Sequence, residues 1–316
     1  MASGSHDAVT PDGDAFDPAT SLDFAGGFHR GAKTHEMRTL AIALLGSLLL
    51  WNLPFGGVLL YPFKLLATWL HELSHGLAMI ITGAGFDHVI IYRDTSGLAY
   101  AYTSVGSFGT SIIAAAGYMG TPLWGALLLV VTPTGRAARH ALLVLAGLLV
   151  LTTILVVAPA PDGDRFGQWV TPAIGAGIAM CALMLPDRWR VLGAHFIAAQ
   201  ACVNALLDIR VLLRPSQVVD GKVAGMSDAH NMALSTFGTT ATWAVWTWAI
   251  IWLVWSLAVL FVALRISGSR AAKLAAQSAR PTASPRDESD RGEHRRSPAT
   301  APGGTDPSGP AGTAAP

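Results

Sequence analysis

The sequence predicts an all-α polytopic membrane protein of six or seven transmembrane helices, with a small β-hairpin after its HExxH-bearing helix. Three observations carry that prediction. Of the 316 residues, 52% are hydrophobic and only 13% are charged, against about 25% charged in an ordinary soluble domain. The charges also gather at the ends: residues 1–37 hold 8 and residues 265–316 hold 13, while the 227 residues between them hold 20. Seven apolar stretches approach the roughly 17–25 residues that a helix needs to cross a hydrocarbon core of about 30 Å. Such a composition excludes a disordered protein and argues against a soluble enzyme. A net charge of +1, without clustered Lys or Arg, gives no footprint for nucleic acid.

The elements follow in order. Residues 1–37 are rich in Asp, Gly, Ser and Ala and contain no apolar segment of signal-peptide type, so they read as a disordered polar tail. Insertion then relies on the first membrane helix. The apolar stretches are 39–53, 60–82, 108–131, 140–157, 166–185, 191–213 and 240–264. Turn chemistry separates them: Pro54 with Gly56 and Gly57, Pro133 with Gly135, Pro159 through Gly163, and Pro186-Asp187. The first stretch is short and the third is interrupted by Gly117, Gly120 and Pro122, which leaves the count at six or seven. Residues 86–104 alternate in polarity about an Asp94-Thr95-Ser96-Gly97 turn, the pattern of a β-hairpin beside the membrane. Residues 214–239 are polar, and Ser227-Asp228-Ala229-His230 resembles the start of a short helix. From 267 to 316 the chain is rich in Ala, Pro, Ser, Gly and Arg and reads as a second disordered tail, leaving 38–266 as the membrane domain. Cys181 and Cys202 lie in apolar stretches and read as small core hydrophobes. The loop Lys and Arg residues divide almost evenly between the two sides, so the positive-inside rule gives no orientation.

One motif carries chemistry. The second apolar stretch contains His71-Glu72-Leu73-Ser74-His75. Residues four apart share a helix face, so both imidazoles can hold one Zn²⁺. Glu72 is rotated by about 100°, where it reaches a water beside the metal rather than the metal itself. These are the parts that metal-assisted peptide hydrolysis requires. Incidental polar residues are the competing explanation, and location argues against it. Glu72 is the only glutamate of residues 38–264, and it sits among Leu65, Leu66, Trp69, Leu70 and Leu73. Ionisable groups at membrane depth are costly and usually functional. Lys64 and Thr68 extend the same stripe, with Lys64 read as snorkelling at the helix end.

An HExxH inside a membrane helix, followed by Gly76 and a short hairpin, resembles the site-2 protease family of intramembrane zinc metallopeptidases, most closely its B-type branch. The likeness covers roughly residues 40–265. It implies that His71 and His75 are zinc ligands and that Glu72 is the general base. It further implies a multi-pass protein of a bacterial plasma membrane that works on membrane-spanning or membrane-adjacent peptides. The Gly117-Tyr118-Met119-Gly120 stretch falls where family members carry a Gly-rich element, although close helix packing explains it equally well.

The third ligand departs from the family pattern, because no Asn-Pro-Asp-Gly motif occurs and Asp220-Gly221 reads as a turn. Asp208 is preferred: Gln200, Asn204 and Asp208 step by four along an apolar helix, and a metal would satisfy the carboxylate there. Asp228 is the alternative, resembling a Ser-Asp-Ala stretch of the B-type branch but also explicable as an acid in the first turn of a capped helix. The leading expectation is an intramembrane zinc metalloprotease, and the alternative is a non-catalytic metal-binding membrane scaffold. A small transporter fits less well, since no repeat is visible.

Overall fold

In the computed structural model, the described residues are 45–46, 49–50, 53–207, 217–219 and 221–278. They contain seven helices and two hairpins: α1 Gly56–Ile81, β1 Phe86–Ile91, β2 Gly97–Ala101, α2 Ser107–Val131, α3 Gly135–Leu155, α4 Phe166–Met184, α5 Asp187–Leu207, β3 Gln217–Val219, β4 Lys222–Gly225, α6 Asp228–Phe237 and α7 Thr242–Ser278. Ten of the fifteen residues of the expected stretch 39–53 lie outside the described residues, as do all of residues 1–37 and 279–316.

Among the described residues, four helices are long and apolar enough to cross a membrane: α2, α3, α4 and the Thr242–Arg270 part of α7. α1 and α5 have similar lengths, of 26 and 21 residues, but carry the polar groups of the motif and of the Asp187–Arg190 turn. α2 runs unbroken through Pro122, so the glycine-proline interruption expected there does not split it. Thr121, whose hydroxyl donates to the Gly117 carbonyl at 2.8 Å, supplies a side-chain bond just ahead of the proline. α7 continues to Ser278, past the boundary expected near residue 267, because the run from Ala271 to Gln277 is made of strong helix formers.

The main core surrounds α1. Leu65, Leu66, Trp69, Leu70 and Leu73 meet Leu142, Ala146 and Leu149 of α3, Ile178 of α4 and Ile197 of α5. The Trp69 indole N–H donates to Thr152 Oγ1 at 3.0 Å, which satisfies its one polar atom in this apolar setting. A second cluster joins Ala114, Ala115 and Tyr118 of α2 to Ala229, Met232 and Ala233 of α6 and to Val245, Ala249 and Trp252 of α7.

The expected hairpin is present, with Val89 opposite Ala99 and Ile90 opposite Leu98. It is fastened at three points. Val89 donates its N–H to Val156 at 2.8 Å and accepts from Ala158 at 2.9 Å. Tyr61 OH donates to the Arg93 carbonyl at 2.7 Å. Arg93 itself grips Asp164 of the α3–α4 connection through Nε at 2.8 Å and Nη2 at 3.1 Å. That hydrogen-bonded guanidinium holds the Asp164 carboxyl below the usual carboxylate range. A second, smaller hairpin, β3–β4, occupies part of the segment that the sequence presents only as polar, with Gly221 between its strands at φ 72°.

Candidate metal centre

α1 supplies two ligand-type side chains. His71 and His75 lie one turn apart on the face toward α2, with their Nε2 atoms 3.0 Å apart. His75 is oriented by its other nitrogen: Nδ1 lies 2.7 Å from the Ile113 carbonyl of α2. A carbonyl only accepts, so Nδ1 carries the proton and Nε2 presents a lone pair, the arrangement found behind metal-bound histidines.

The carboxylate comes from α6. Ser227 occupies the N-cap position but makes no side-chain cap bond; its hydroxyl lies instead 2.8 Å from His230 Nδ1. Asp228 turns inward, its Oδ2 3.2 Å from His71 Nε2 and 3.4 Å from His75 Nε2. It is therefore more than an acid decorating a first turn. Small residues bring it there. Ala229 and Ala233, four apart and fully buried, pack against Ala114 and Ala115 of α2, where the absence of bulk permits close helix approach. Ser111 and Ser235 hydroxyls at 2.8 Å, and the Trp248 indole on Thr236 at 3.0 Å, hold α6 between α2 and α7.

Among the described residues, His71, His75 and Asp228 are the one group of three His, Cys, Asp or Glu side chains close enough to share an ion. The preferred ligand Asp208 lies outside the described residues. A tetrahedral ion with nitrogen and oxygen ligands at about 2.0–2.1 Å separates its donors by about 3.3–3.4 Å. The observed separations of 3.0, 3.2 and 3.4 Å are close to that, so the donor set fits a zinc-sized ion. Access is graded: the side chain of His75 is 7% exposed, while those of His71 and Asp228 keep 19% and 20%. One face of the triad is therefore open.

Glu72 points elsewhere. It is buried under the hairpin, with its side chain against β2. Gly97 makes that approach possible, since a Cβ there would sit 2.7 Å from Glu72 Cγ. Thr68, on the same face of α1, donates to the Thr95 carbonyl at 2.6 Å and secures the turn.

Gly117 is part of the site's wall, because a Cβ on it would overlap both imidazoles. Gly120 likewise admits Ser74, whose hydroxyl donates to Leu70 at 2.7 Å and accepts from the Trp124 indole at 3.1 Å. The sequence marks both glycines as a helix-packing pattern but does not say what packs on them. It also gives no sign of Tyr118, which meets His71 edge-on at 4.8 Å and stacks on Trp252 at 5.2 Å. Trp252 is 1% exposed and so is a core residue, whereas Trp243 and Trp246 are exposed, as anchoring in lipid requires. Gly117→Ala is expected to lower metal content severalfold to about 100-fold, since overpacking costs about 1–3 kcal/mol. Metal analysis of the purified protein measures this, and wild-type content would mean that α2 yields.

The Peptidase M50B-like family model matches residues 39–263. The chain belongs to that family. Comparison with curated proteins and with solved structures finds no match. Membership in the M50B-like family, the B branch of the site-2 protease-like intramembrane metallopeptidases, implies a metallopeptidase and therefore a hydrolase. With four helices able to span, this M50B-like chain is a multi-pass membrane protein.

Proposed function

We propose that this M50B-like protein is an intramembrane zinc endopeptidase that cuts membrane-spanning or membrane-adjacent peptides. The observation that carries the reading is the convergence of His71, His75 and Asp228, with Glu72 of the same helix as the histidines buried against Gly97 of β2. Two neutral imidazoles and one carboxylate form a donor set that suits Zn²⁺ and leaves a fourth position. When bound there, zinc supplies a Lewis acid that acidifies water and polarises a carbonyl. His71, His75 and Asp228 contribute lone pairs, with the Nδ1–H of His75 donated to the Ile113 carbonyl. Glu72 takes the proton of the attacking water and returns it to the leaving amine.

The hairpin supports the choice of a peptide substrate. Val89 spends its N–H and C=O on Val156 and Ala158, so Val89 and Ala99 are a non-hydrogen-bonded pair and the backbone groups of Ala99 turn to the outer edge of β2. Gly97, two residues earlier, has the same parity. No described strand pairs with that edge. An unwound substrate segment added there lies against Glu72 by β-augmentation. A helical substrate must unwind first, because its backbone groups are already satisfied.

On this reading α1 and α5 also cross the bilayer, for six spans or seven with residues 39–53. At about 1.5 Å per residue they reach about 39 and 31 Å, enough for a core of about 30 Å. Buried Glu72, Ser74, His75, Gln200 and Asn204 face the bundle rather than lipid. Membrane proteomics of cells carrying wild type or Glu72→Gln tests the proposal. Transmembrane precursors are expected to accumulate in the variant, and identical membrane proteomes with full expression would favour a non-catalytic metal-binding scaffold.

A further inference from the structure

α4 and α5 are consecutive yet pack little on each other: α4 lies mainly against α3, and α5 against α2 and α3. Between them, closed at the back by α1 and α3, is an apolar cavity of about 500 Å³. Phe63 and Leu66 of α1, Ile174 of α4 and Phe196 of α5 are among its walls, and Trp189 and Arg190 lie at its end by the α4–α5 turn. Gly177 and Gly193 line it from opposing helices, and a Cβ on either would meet nothing within 4 Å.

Arg190 gives the cavity its polarity. Its Nη1 bonds Asp187 Oδ1 at 2.6 Å, Nη2 reaches the Leu183 carbonyl only at 3.4 Å, and Nε is buried with no hydrogen-bond partner. The Arg190 side chain is 15% exposed and that of Asp187 70% exposed, so the acid points outward and the guanidinium inward, with donor capacity to spare. Arg188, lying 5.8 Å over the Trp189 ring, adds a second positive charge at the same turn. An apolar slot with a cationic head and an interfacial tryptophan is the complement of an amphiphile with an anionic headgroup. A single flexible chain fits its volume.

We propose that the α4–α5 fissure binds one anionic phospholipid, an acyl chain lying between the helices and the phosphate on Arg190. The bound chain braces α1 from behind, since Phe63 meets Phe196 edge-on at 4.9 Å beside the cavity. Native mass spectrometry of the full chain, released from bilayers of equal parts phosphatidylglycerol and phosphatidylcholine, tests this. One phosphatidylglycerol per chain is expected to remain bound, and Arg190→Gln is expected to lower its retention about fivefold while leaving phosphatidylcholine unchanged. Gly177→Leu or Gly193→Leu, each filling open space, is expected to remove the lipid while metal content stays normal. Equal retention of the two lipids by wild type and Arg190→Gln would overturn the proposal. So would full retention in both glycine variants, or displacement of the lipid by a co-reconstituted transmembrane peptide. Should the glycine variants fail to insert, the Arg190→Gln comparison decides alone.

Discussion

Glu72→Gln is expected to keep its metal and lose hydrolysis by about 10²–10⁴-fold, the usual contribution of a positioned general base. The amide has nearly the shape of the carboxylate, so the packing of Glu72 under Gly97 is preserved. What disappears is the ability to accept a proton. Steady-state cleavage of a transmembrane peptide in bilayers, alongside metal analysis, measures both quantities. Cleavage at the wild-type rate would assign the base elsewhere, and loss of metal would make Glu72 a ligand.

The second large effect concerns Asp228. Its Oδ2 lies within 3.4 Å of both imidazole nitrogens and is the only charged donor of the triad. Asp228→Ala is expected to lower metal affinity by more than about 100-fold, beyond the 10–100-fold typical of residues that merely support ligands. Competition with a chelator of known affinity reads this directly. Asp208→Ala is the paired measurement: should it empty the site while Asp228→Ala leaves it filled, the third ligand is Asp208.

These two residues show what was legible in the sequence. His71, Glu72 and His75 were legible because the motif is local, confined to one turn and a half of a helix whose apolar flanks fix its depth. The hairpin was legible for the same reason, its alternation and its Asp94-Thr95-Ser96-Gly97 turn all falling within one short stretch. The third ligand was legible only as a choice between Asp208 and Asp228, because His71 and Asp228 are 157 residues apart and nothing local specifies their contact. Preferring an acid within an apolar helix rests on a sound premise, that a carboxylate in such a setting needs a partner. Yet a polar decapeptide can reach the same interior when its inner face is small, and Ala229 and Ala233 give α6 such a face. Their four-residue spacing beside Asp228 is a sequence signal additional to the Ser227-Asp228-Ala229 resemblance. Gly117 and Tyr118 were visible as residues, but their contacts with His71 arise from the pairing of α1 with α2, which composition does not encode.

The distance in sequence between the histidines and Asp228 also bears on how the protein is born. At roughly 5–20 residues per second, a ribosome needs roughly 8 to 30 s to travel the 157 residues from His71 to Asp228. Throughout that interval the imidazole pair has already been made, while α6, the element that brings the carboxylate, has not. A nascent chain emerging among other unfinished membrane proteins therefore lacks the donor that completes the cluster. On the proposed function, chain order keeps the cluster incomplete until nearly all of the membrane domain has been synthesised, which would spare neighbouring chains in the insertion machinery during that interval.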